Sequence, residues 1–187
     1  MGRSLDATGF QTYLLGAFFD FGDTLIDETT EVKGPQRETL TAELLPGAPE
    51  LLTTLRDRGI RLGLIADGLV QTYENVLRQH GLADYFDTLV ISQVLGSEKP
   101  DPMPFQRALS DLGIPLSAAE RTVMVGNRLD RDVAGSNRVG MISVWLNWSP
   151  RYGKHPACPD EVPDYTAANL FEVRDLLLRL HERGTTS

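Results

Sequence analysis

Short apolar runs alternate with amphipathic stretches along most of the chain. Residues 14–19 are almost wholly apolar, which predicts a strand buried on both faces. Residues 61–66, 88–92, 122–126 and 142–146 predict four more short strands. Between them, residues 48–58, 70–80, 102–112 and 130–139 carry apolar positions at helical spacing, as do residues 170–183 at the end. Gly59, Gly81 and Gly113 each follow a helical run, where a left-handed residue commonly ends a helix. Strands alternating with helices imply βαβ units, and hence an α/β fold: a doubly wound, Rossmann-like parallel sheet of about five strands flanked by helices. Residues 26–45 have room for little beyond one short helix around 36–44.

In such a sheet the ligand lies beyond the carboxyl ends of the strands, near the switch in strand order. That rule selects Asp20, Ala66 with Asp67, Ser92 and Asn127. Asp20 ends the first strand in Phe18-Phe19-Asp20-Phe21-Gly22-Asp23-Thr24-Leu25. A carboxylate there can attack phosphorus and form an acyl phosphate, although Asp, Gly and Thr are also ordinary turn residues. Asp130 and Asp132 follow Asn127; they suit either Mg²⁺ or the start of a helix. Lys99, in a loop ahead of a helix, can balance a nucleophilic carboxylate and a phosphoryl group, or be a solvated charge.

Composition narrows the partners. With 41% hydrophobic and 24% charged residues the chain reads as globular, and 187 residues suit a polar tail at 1–12 followed by one domain at 13–187. The net charge of −8, from 26 acidic and 18 basic residues, argues against a nucleic-acid partner. Cys158 is the only cysteine, so no intrachain disulfide forms. No apolar run is long enough to span a membrane and no secretory signal is evident, so a cytoplasmic location is expected.

Taken together, the motifs make the chain resemble the haloacid dehalogenase-like superfamily from Leu14 to the last helix. Asp20-Phe21-Gly22-Asp23-Thr24-Leu25 stands for that family's first motif. Ala66, in Ile65-Ala66-Asp67-Gly68, stands where it has a phosphate-binding Ser or Thr. Lys99-Pro100 matches its third motif, and Gly126-Asn127 followed by Asp132 its fourth. The resemblance implies a Mg²⁺-dependent phosphatase with Asp20 as nucleophile, Lys99 as its charge partner, and Ala66, Asp67 and Gly68 bordering the phosphorylated substrate. It implies metal ligands at Asp20, the Gly22 main-chain carbonyl, Asn127 and, directly or through water, Asp132.

Three positions depart from the pattern. Gly22 replaces the aspartate that protonates the leaving oxygen; Asp23, one residue later, is the candidate stand-in, and restoring Gly22→Asp discriminates: a large gain on alkyl phosphates would mean that the missing acid limits turnover, and no gain would count against it. Ala66 lacks the phosphate-binding hydroxyl, and Asn127 lacks a charge. Together they motivate an alternative reading, a catalytically weak or inactive member with a binding or regulatory role. A dehalogenase is a weaker third reading, because no cap large enough to enclose a small apolar substrate is expected. The small insertions imply an open site, or one covered by a neighbouring subunit if the chain is a homo-oligomer. Lys33, Arg37 and Arg128 are the nearest candidates for gripping an anion.

Overall fold

The computed structural model describes residues 14–182. The expected tail at 1–12, Tyr13 and the end of the last predicted helix lie outside the described residues. The chain opens with β1 (Gly16–Phe19), β2 (Ile26–Lys33), β3 (Thr39–Leu44), α1 (Ala48–Asp57), β4 (Arg61–Ala66) and α2 (Val70–Gln79). It continues through β5 (Thr88–Ile91), the short α3 (Ser92–Leu95), α4 (Pro102–Asp111) and β6 (Thr122–Gly126). A π-helical turn (Leu129–Val133) leads into α5 (Ala134–Val139), then β7 (Ile142–Leu146), β8 (Tyr165–Ala167) and α6 (Leu170–Glu182).

Six strands form one parallel sheet in the order β5-β4-β1-β6-β7-β8. β1 is central, with Phe19 beside Leu64 of β4 and Val125 of β6. Successive side chains alternate between faces. Phe19, Leu64 and Val125 pack with Leu51, Leu52 and Leu55 of α1, Val76 and Leu77 of α2, and Val173 and Leu177 of α6. Phe18, Ile65 and Met124 pack on the other face with Phe105, Ala108 and Leu109 of α4 and Val139 of α5. Both faces of the sheet are thus covered, which is why its central strands are continuous apolar runs.

The edge of the sheet and residues 26–45 differ from the sequence expectation. The sixth strand, β8, is only three residues long and has one strand neighbour, so its run is too brief to show a period. Residues 26–45 hold an antiparallel hairpin, β2 with β3, instead of a short helix at 36–44. The β-branched Thr29, Thr30, Val32, Thr39 and Thr41 favour strands. A turn at Gly34 reverses the chain, closed by Arg37 N–H donating to the Gly34 carbonyl (3.0 Å). The outer edge of β3 is covered by α2: the Thr39 and Ala42 N–H groups donate to Thr72 Oγ1 (2.9 Å) and Gln79 Oε1 (3.1 Å). Those bonds satisfy an otherwise unpaired strand edge and hold the hairpin over the carboxyl end of the sheet.

Phe105 is fully buried against Gly135. Phe105→Ala is expected to cost about 3–5 kcal/mol, lowering the urea midpoint while leaving the denaturant slope unchanged.

Candidate active site

The carboxyl ends of β1, β4 and β6 meet where the strand order switches, and beneath the hairpin they leave a cavity of about 600 Å³. Asp20, Gly22, Asp67, Gly68, Lys99, Asn127 and Asp132 line it from the sheet side, and Glu28, Lys33 and Arg37 from the hairpin side. The Asp20 N–H donates to the Val125 carbonyl (2.9 Å), continuing the β1–β6 ladder one residue beyond the strand. The chain then turns sharply, with the Thr24, Leu25 and Ile26 N–H groups all donating to the Phe21 carbonyl (2.8–3.2 Å).

Lys99 is the hub. Its ammonium lies 2.6 Å from Asp20 Oδ1 and 2.7 Å from Asp132 Oδ1, and donates to the Ile65 carbonyl at 2.9 Å. All three protons are used and the residue is 4% exposed. Burial alone would lower its pKa; the carboxylates of Asp132, Asp20 and Asp67 outweigh burial and raise it, so the ammonium stays charged. Burial pushes the Asp132 carboxyl up, opposed by Lys99 and by the Arg128 N–H donating to Oδ2 at 2.9 Å. Asp67 accepts from the Lys99 N–H (3.1 Å) and pairs with Arg131 (3.1 Å), which anchors the lysine loop to the end of β4.

Asn127 is 5% exposed, yet neither its amide nitrogen nor its amide oxygen has a partner among the described residues. A buried unpaired polar group costs ~1–3 kcal/mol, so this one is suited to a ligand. No group of three or more His, Cys, Asp or Glu arranged to hold a metal occurs among the described residues. The oxygens that fit a hard cation are a mixed set: the Asp20 carboxylate, the Asn127 amide oxygen and the Gly22 carbonyl. Both Asp132 oxygens are already engaged, so that residue suits contact through water.

Other expected residues sit elsewhere. Ala66 is buried at the end of β4 and does not line the cavity. Gly68 does line it, but its N–H donates to Ser92 Oγ (3.0 Å). Asp23 is fully buried with φ +50° and does not line the cavity. Its Oδ2 accepts from Arg151 Nε (2.8 Å), Arg151 Nη2 pairs with Oδ1, and the Glu28 N–H donates to Oδ1 (3.1 Å). Arg128 is occupied by Asp130 (2.6 and 2.8 Å) and stacks on Tyr152, and Lys33 is held by Glu31 and Thr39. Arg37 faces the cavity with no ion pair among the described residues.

Glu28, Tyr152 and Arg151 were not selected from the sequence. Glu28 Oε2 accepts from the Tyr152 hydroxyl (3.2 Å) and lies 3.4 Å from Arg151 Nη2. Burial raises the Glu28 pKa, with a further push from Asp23. A Cβ built on Gly22 would fall 1.9 Å from Glu28 Oε1. The strand-end rule, applied to β7 as it was to the earlier strands, would have pointed to the loop that carries Arg151 and Tyr152. Glu28 has no local signal, because only the hairpin brings it to Gly22.

Residues 15–140 match the family model of haloacid dehalogenase-like hydrolases. The chain is 35% identical over 136 residues to a glyceraldehyde 3-phosphate phosphatase of Methanopyrus kandleri, covering 72% of this chain and 57% of that one. It is 34% identical over 137 residues to a phosphoserine phosphatase of Thermus thermophilus, covering 73% and 52%. The chain therefore spans little more than half the length of the curated relatives it matches. A crystal structure of an uncharacterized protein from Listeria monocytogenes serotype 4b superposes with a TM-score of 0.73 at 26% identity, covering 89% of this chain and 98% of that one. No helix among the described residues is long and apolar enough to cross a membrane.

Two stability predictions follow from these charges. Lys99→Met leaves Asp20 and Asp132 together without a cation and is expected to cost about 3–5 kcal/mol in urea unfolding. Glu28 has a raised folded-state pKa, so the unfolded chain ionises first and native stability is lost as pH rises through the folded pKa. Glu28→Gln should therefore be more stable than the native chain at pH 7, and the gain should vanish below the ordinary glutamate range; a gain unchanged by pH would exclude this origin.

Proposed function

The chain belongs to the haloacid dehalogenase-like hydrolases, and from that membership we propose that it is a phosphomonoesterase working through an aspartyl phosphate on Asp20. The observation that carries this reading is the buried Lys99 ammonium shared between Asp20 and Asp132 at the cavity floor. Asp20 Oδ2, with Thr24 Oγ1 3.4 Å away, is left to attack. Its bond to phosphorus forms as the ester P–O bond breaks; water then attacks phosphorus, freeing inorganic phosphate and Asp20. Lys99 holds the other carboxylate oxygen and keeps a fixed positive charge beside the transferring group, with no reorganisation at the moment of reaction.

Asp20, the Gly22 carbonyl and Asn127, with Asp132 through water, would hold Mg²⁺, which when bound neutralises charge on the phosphoryl oxygens. The unpartnered Asn127 amide supports that assignment. Asp67 and Gly68 border the substrate's approach; a cavity of about 600 Å³ and the relatives named for small phosphate esters favour a small phosphorylated substrate.

The test is hydrolysis of p-nitrophenyl phosphate with and without Mg²⁺. Asp20→Asn is expected to lower the rate at least ~10³-fold. Asn127→Asp adds a charged ligand and should lower the Mg²⁺ concentration for half-maximal rate by about tenfold, the effect of ~1.4 kcal/mol. Turnover indifferent to Mg²⁺ and to Asp20, in folded protein, would favour the alternative of a non-catalytic binding role.

A further inference from the structure

We infer that Glu28, on the hairpin, is the general acid and base of this site, doing from β2 the work that a side chain at position 22 would otherwise do. The inference rests on the phosphatase reading above and adds to it the residue that moves the proton. Three observations carry it. Glu28 Oε1 stands where a side chain at Gly22 would begin, 1.9 Å from the position of its Cβ, so glycine at 22 is what makes room for the carboxylate. Glu28 lines the same cavity as Asp20 and Lys99. Its other oxygen, Oε2, is fixed by the Tyr152 hydroxyl (3.2 Å) and the Arg151 guanidinium (3.4 Å), leaving Oε1, which stands over Gly22, without a hydrogen bond among the described residues.

Asp23 is excluded from that role by its contacts. Fully buried and paired with Arg151, it orients the guanidinium that orients Glu28, and it accepts the Glu28 N–H. Asp23, Arg151 and Tyr152 are positioning residues.

The proton balance closes on Glu28. As the Asp20–phosphorus bond forms and the ester P–O bond breaks, protonated Glu28 gives its proton to the departing alkoxide, which leaves as the alcohol. The resulting carboxylate then takes a proton from the water that attacks the aspartyl phosphate. Phosphate and Asp20 are released and Glu28 is again protonated. An aspartate added at 22 must first displace Glu28, so Gly22→Asp alone should not raise turnover of alkyl phosphates.

The experiment compares wild type, Glu28→Gln, Asp20→Asn and the double variant Gly22→Asp/Glu28→Ala on glycerol 3-phosphate and p-nitrophenyl phosphate, with Mg²⁺ and with folding checked by circular dichroism. Glu28→Gln is expected to lower kcat/KM for the alkyl ester about 10²–10⁴-fold. On the aryl ester, whose leaving group needs no proton, it should release a burst approaching one p-nitrophenolate per active site and then turn over slowly. That burst marks a phosphorylated Asp20 that water no longer clears. The double variant should recover turnover of the alkyl ester by placing an acid at the vacated position. Equal losses on both esters without a burst, or no loss on the alkyl ester, would overturn the role of Glu28 and leave the phosphatase reading standing. Aryl turnover that does not depend on Asp20 would overturn both.

Discussion

The buried ammonium of Lys99 is the constraint to which the rest of this site is fitted. It must reach Asp20 after β1, Asp132 after β6 and the Ile65 carbonyl in β4 at once, within 2.6–2.9 Å. Only adjacent parallel strands ending at the same level allow that, and the central position of β1 between β4 and β6 supplies it. Removing such charges from water costs several kcal/mol per ion, and a well-packed apolar trio of similar size is often at least as stable. The triad is therefore hard to explain as a device for holding the fold together. It is easier to explain as a charge kept dry and fixed for a reaction.

The loop carrying Lys99 is tied down accordingly. Asp67 accepts the Lys99 N–H, Arg131 closes on Asp67, and Asp101 caps α4 by accepting the Met103 N–H (2.8 Å). These contacts fix the backbone on both sides of the lysine, so its long side chain loses little further freedom on reaching the two carboxylates. The same loop thus serves as the start of a helix and as the support of the charge.

Much of this was legible in the chain because local chemistry decides it. The central strands are buried on both faces and read as apolar runs; Asp20, Asn127 and Asp132 follow such strands, and Lys99 precedes a helix. What was not legible depends on pairing at a distance. Residues 36–44 have enough scattered apolar positions to suggest a helix, but β3 is set by its partner β2 and by the α2 side chains along its edge. Glu28 and Gly22 are six positions apart in sequence, and only the hairpin places the carboxylate over the glycine. Arg151 reaches Asp23 from 128 residues away. Side-chain networks of that kind leave no periodic trace.

The altered letters also make sense as one electrostatic arrangement. Where the family pattern has aspartates at 22 and 127, this chain has a glycine and a neutral amide, and Glu28 reaches the space over Gly22 from the hairpin. The phosphate monoester proposed as substrate would bring roughly two negative charges to the cavity. With a neutral amide at 127, Lys99 held charged and Arg37 facing the same space, the cavity would oppose such a substrate less by its own charge. The same change weakens the attraction for a divalent cation, since an amide oxygen ligates without charge. On the proposed reading, such a site would shift part of the work of binding a phosphate from the metal to the protein's own cations, with the acid standing on the hairpin, out of the turn that carries Asp20.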